Sequence, residues 1–86
     1  MMMASKILVG KVGRYFSEIG VIAIDLIEEI AVGDRVSIEK DDSKFEQMVS
    51  SIEVEHIAVN RGFRGDSVGI KVDQPVDEGS EVYKFI

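Results

Sequence analysis

The chain has 86 residues, a formal net charge of −6, no cysteine and a single histidine. Disulfide cross-links and a cysteine-tetrad zinc site are therefore excluded, and the overall field repels nucleic acid and anionic membranes, so any polyanion contact needs a local patch. A chain this short buries only about 60–65% of its unfolded surface. Valine and isoleucine supply 23 residues against two leucines, Leu8 and Leu26, and that β-branched bias favours strands.

No apolar run reaches the roughly 18 residues that a membrane helix needs. The start, Met1 to Lys6, lacks a signal-peptide core and cleavage site. The expectation is a cytoplasmic protein with a short tail over 1–6 and one domain over 7–86.

Ile7 to Phe16 reads as the first strand, and its interior Gly10 and Gly13 mark bulges or sharp bends. Ser17 to Gly20 is a turn, and Gly20 to Ile27 is a second strand that forms a hairpin with the first. Asp25 to Ala31 has a trace of helical spacing at Leu26, Ile27 and Ile30, but Val32-Gly33-Asp34 is a turn and the stretch reads as a loop. Arg35 to Lys40 alternates, with Val36 and Ile38 inward and Arg35, Ser37 and Glu39 outward. Asp41-Asp42-Ser43 is a polar turn, a solvated one rather than a calcium loop. Phe45 to Ile57 is long for one strand, and its apolar set changes phase between Val49 and Ile52, which points to a bulge at Ser50-Ser51. Gly62 to Asp66 is a loop. Ser67 to Val72 alternates again, Pro75 to Ser80 is a turn, and Glu81 to Ile86 is the last strand.

Six strands joined by short turns leave no room for parallel crossovers. An open six-stranded sheet exposes two edges and an apolar face, and closure removes both problems. The expected fold is all-β, a closed six-stranded antiparallel β-barrel.

Five short motifs fall in a familiar order: Gly10-Lys11-Val12, Val32-Gly33-Asp34-Arg35-Val36, Ser51-Ile52-Glu53-Val54-Glu55-His56, Gly65-Asp66-Ser67-Val68-Gly69 and Glu78-Gly79-Ser80-Glu81-Val82. Together they resemble the barrel domain, domain 2, of translational GTPases of the elongation factor Tu type, over nearly the whole of 7–86. The chain also looks like small free-standing archaeal elongation-factor-like proteins, and like a domain appended to some collagenase-like peptidases. The resemblance implies a barrel and, in elongation factor Tu, a surface that holds the aminoacylated 3′ end of transfer RNA. Glu53 matches the family's glutamate against the terminal adenine, and His56 matches its arginine or histidine. Glu55 stands where the bacterial family has an aromatic, Ser67 replaces an asparagine, and Lys71 replaces an apolar pocket residue. GTPase activity is not implied, because the chain has no Gly-x-x-x-x-Gly-Lys-Ser/Thr phosphate loop.

Among residues that carry chemistry, a lone histidine such as His56 is more often structural than functional. Arg61-Gly62-Phe63-Arg64-Gly65 sets two cations and an aromatic on one glycine-bounded loop, suited to a phosphate or a base. The plainer alternative is a solvated loop whose Phe63 folds back to cap the barrel. Glu53 and Glu55 share a strand face at i, i+2, which by default is solvated. The expectation is thus no catalytic residue, no metal and no cofactor. The expected function is a non-catalytic binding module contacting tRNA or other RNA through Glu53, His56, Arg61, Phe63, Arg64 and Lys71. The alternative is an accessory protein–protein interaction domain that docks onto an enzyme or factor, motivated by the acidic charge and the altered pocket.

Overall fold

The computed structural model describes residues 5–86; positions 1–4 of the expected tail lie outside the described residues. The elements are strands: β1 (Lys6–Phe16), β2 (Val21–Asp25), β3 (Ile30–Ala31), β4 (Arg35–Lys40), β5 (Ser43–Met48), β6 (Ile52–Val54), β7 (Ile57–Val59), β8 (Arg61–Gly62), β9 (Ser67–Lys71) and β10 (Glu81–Phe85). Every ladder is antiparallel, as short connections require.

The long first strand organises the molecule. Its first half pairs with β10 and its second half with β2, and the register slips once between Leu8 and Gly10 and again between Val12 and Arg14. Both slips fall at the two interior glycines. Gly10 has no substitute there, because a Cβ would stand 2.5 Å from Ile24 Cγ2 and 2.7 Å from the Asp25 carbonyl oxygen. These bends fold the sheet so that its two halves share one core. Val9, Ile22, Ile24, Ile30, Val36, Val49, Ile52, Ile70 and Val82 are buried in it from both halves. Each such side chain contributes about 1.5–3 kcal/mol of transfer free energy.

The closed six-stranded barrel is not formed. The main sheet has eight strands in the order β5-β4-β10-β1-β2-β9-β6-β7 and stays open, its two terminal strands not paired with each other; β3 and β8 form a separate small ladder. A side chain also ties the β5 edge to the far part of the sheet. Gln47, buried on β5, donates from Nε2 to the Lys71 carbonyl (2.9 Å) and accepts from the Asp73 amide at Oε1 (2.9 Å). One primary amide thus joins an edge strand to the segment that leaves β9.

Three further departures have local causes. The stretch 45–57 is not one strand: β5 ends at Met48, the chain crosses to the other half of the sheet, and β6 starts at Ile52, where the apolar phase changes. Ser37 is buried rather than outward and solvated, since it lies between Glu46 and Tyr83 in the ladders, and its hydroxyl donates to Glu39 Oε2 (2.7 Å). Ile30 and Ala31, read as loop, pair with Gly62 and Arg61.

Candidate functional site

Strand alternation sends Ile22, Ile24, Ile52, Val68 and Ile70 into the core. The opposite set on the same three strands faces out. Across β2 and β9 the opposed pairs are Val21 with Lys71, Ala23 with Gly69 and Asp25 with Ser67; Glu53 of β6 lies opposite Gly69 on the other side. The middle row is therefore Ala23, Gly69, Glu53, two of them nearly devoid of side chain, which makes the sheet surface concave. A Cβ on Gly69 would stand 3.3 Å from Val21 Cγ1, so the glycine leaves the floor open.

Two turns wall this floor. From the β1–β2 hairpin come Phe16 and Ile19, 42% and 62% exposed. From the β6–β7 hairpin come Glu55 and His56. The groove, open to solvent along its length, has a volume of about 570 Å³. A second concavity, about 380 Å³, lies between the β4–β5 hairpin and the 74–80 segment and is rimmed largely by polar groups.

Val54 pairs with Ile57, so the loop of the β6–β7 hairpin is the two residues Glu55 and His56, and both have positive φ, 51° and 66°. A two-residue hairpin requires this of both positions to match strand twist, and Asn-Gly is the usual solution. Here Glu55 has no local group that eases the left-handed region and His56 enters it more readily, and such conformations in non-glycine residues cost of order 1–3 kcal/mol. The cost is borne where both side chains line the groove.

Electrostatically the groove holds the carboxylates of Glu53 and Glu55, the Lys71 ammonium and the His56 imidazole. The ion pairs among the described residues are Lys6–Glu39, Arg35–Glu46 and Arg61–Glu29, so none of the groove's charged groups is paired. Ser67, at one end, donates to Asp25 Oδ1. Among the described residues no group of three or more His, Asp or Glu side chains is placed to hold a metal ion.

The residues singled out from the sequence thus divide. Glu53, His56 and Lys71 come together in the groove. Arg61, Phe63 and Arg64 stand apart on β8 and the turn after it. Arg61 Nη1 is engaged by Glu29 Oε2 at 2.8 Å, and the turn is closed by the Phe63 amide on Asp66 Oδ2 (2.8 Å), with Gly65 at φ 94°. Phe63 does not fold back as a cap; it is 56% exposed. Sequence reasoning missed Phe16 and Ile19, although a large apolar residue inside a hairpin turn, beside another at the end of the strand before it, is a readable sign of an exposed patch.

No family model matches the chain. Over 79 residues it is 32% identical to an uncharacterized protease of Methanocaldococcus jannaschii; the match takes in 91% of this chain and 19% of that protein. The chain therefore spans about a fifth of the curated relative it matches. Two crystal structures of the C-terminal domain of a Geobacillus thermoleovorans protein, described as a U32 peptidase, share the fold. One superposes with a TM-score of 0.82 at 22% identity, covering 88% of this chain and 89% of that one. The other, a selenomethionine variant, gives 0.81 at 20% identity, covering 87% and 95%.

These likenesses overturn the reading as an elongation factor Tu-type domain 2 and, with it, the link to translation: the relatives are peptidase-type proteins, and the likeness to a domain appended to peptidases is the one they extend. The physical reason is that three of the five motifs are turn chemistry. Gly33, Gly65 and Gly79 of the Val-Gly-Asp, Gly-Asp-Ser-Val-Gly and Glu-Gly-Ser segments all have positive φ, between 90° and 98°. Turns of small antiparallel folds call for glycine there whatever the ancestry.

Proposed function

We propose that this chain is a non-catalytic docking module that binds the body of a peptidase-type protein through the groove on the outer face of β2, β9 and β6. The observation that carries the reading is the groove itself: an open floor at Ala23 and Gly69, exposed apolar walls at Phe16 and Ile19, and unpaired charges above it. Burial of such walls supplies association free energy, and the surrounding charges supply orientation. The likeness to the C-terminal domain of a peptidase-type protein supports the assignment of an accessory role. The chain's one histidine, on an exposed turn with no ion-pair partner, supports a non-catalytic one.

Calorimetric titration tests this. The chain is titrated with the M. jannaschii relative lacking the segment it matches, checked for folding by circular dichroism, and in parallel with tRNA at the same salt. The expected result is saturable one-to-one heat with the protein body and none with tRNA. Saturable tRNA binding with no response to the protein body contradicts the proposal.

A further inference from the structure

We infer that the groove recognises a cationic side chain, lysine or arginine, presented by an otherwise apolar segment of the protein partner; this rests on the docking reading above and specifies its chemistry. Three observations carry it. The first is charge. Glu53 and Glu55 approach the groove from the floor and from the rim, and neither has an ion-pair partner among the described residues; Lys71, on the same face, pairs with neither. The molecule around them has a net charge of −6. A cation entering the groove gains from two carboxylates against the single ammonium of Lys71, and from the wider field, whereas a phosphate meets the opposite balance.

The second is shape. Gly69 and Ala23 leave a slot in the middle of the floor that is almost free of side chain, along which a partner's side chain can lie. Phe16, Ile19 and Val21 line it with apolar surface. Lysine and arginine combine an aliphatic stem with a charged head, and such a slot with acids at one wall buries the stem while the head stays hydrogen-bonded.

The third is the strained turn. Glu55 and His56 hold left-handed backbone conformations that Asn-Gly would adopt at lower cost. The sequence keeps two side chains at this rim instead, and one is an acid facing the slot.

The test uses the full chain, displayed random dodecapeptides as the probe pool, and three proteins: wild type, Glu53→Gln/Glu55→Gln, and Gly69→Val, which fills the floor. Selection on wild type is expected to enrich peptides with a lysine or arginine beside aliphatic or aromatic residues. The best of them is expected to lose about tenfold or more in affinity on Glu53→Gln/Glu55→Gln, and as much when its own cation becomes glutamine. Raising the salt from about 50 mM to about 500 mM should weaken it further. Peptides that Gly69→Val displaces but that show no preference for a cation overturn this inference and leave the docking reading standing. Selected peptides that bind Gly69→Val as tightly as wild type sit elsewhere and overturn both. A dodecameric oligouridylate bound more tightly by Glu53→Gln/Glu55→Gln than by wild type assigns the groove to nucleic acid and overturns both as well. The glutamine variants change exposed side chains only, so their fold is preserved if the glycine variant proves unstable.

Discussion

Glu55 and His56 show how a residue can be chosen against the backbone it occupies. Both are held at positive φ, the conformation that a two-residue hairpin imposes, and neither has the short polar side chain that eases asparagine into it. Replacing the pair as Glu55→Asn/His56→Gly should raise stability by about 1–2 kcal/mol in urea unfolding, because the strain is relieved. The same variant should bind the partner less tightly, since it removes two side chains from the rim of the groove. A variant that is no more stable than wild type would show that the turn is not strained. Neither residue is glycine or asparagine, so nothing in the sequence marked the hairpin, and the stretch reads as the end of one long strand. Gly10 and Gly13 are the opposite case: a glycine inside an apolar strand has few uses, so both register slips were legible at the right residues.

At the scale of elements, the outer face of β4, β10 and β1 is held by a polar network. Lys6 of β1 bonds Glu39 of β4, lies 4.7 Å from the centre of the Tyr83 ring of β10, and Tyr83 in turn donates to Glu81. The bond from Lys6, followed by that from the Ser37 hydroxyl, holds the Glu39 carboxyl below its ordinary value of 4.5, while the carboxylate of Glu81 pushes the Tyr83 phenol up. A carboxyl whose pKa is lower folded than unfolded adds stability that is complete above its unfolded value and is lost as pH falls through its folded one. Lys6→Met should therefore be less stable than wild type at neutral pH, and the difference should shrink as pH drops below 4.5. Urea unfolding of both proteins at neutral and acidic pH checks this; a difference that does not change with pH would assign the loss to packing of the lysine stem. The sequence placed Val36 and Ile38 on the inner face but left Ser37 outside, because alternation states which face a residue takes and not what covers that face.

For the whole molecule, the decisive contact is Gln47. Alternation, composition and turn residues were enough to read an antiparallel sheet enclosing a core of valine and isoleucine. They could not show that the sheet stays open, because the bridge links Gln47 to backbone groups 24 and 26 residues away and leaves no local trace. Gln47→Leu keeps the volume but strands the Lys71 carbonyl and the Asp73 amide. It should cost about 2–4 kcal/mol in urea unfolding, with most of the loss in that bridge rather than in the strands. A neutral result would mean that water satisfies both groups. The candidate site was legible by half for a similar reason. Glu53, His56 and Lys71 could be picked out, but Phe16 and Ile19 reach the same groove from a different hairpin.

The proposed docking places the groove, and not the Arg61–Arg64 turn, against a protein partner. Two-dimensional amide NMR of the labelled chain, titrated with the M. jannaschii relative lacking the matching segment, reads that surface directly. The predicted shifts and broadening fall on Phe16 to Ala23, Glu53 to His56 and Ser67 to Lys71. Changes confined to Arg61, Phe63, Arg64 and their neighbours, with the groove silent, would contradict it.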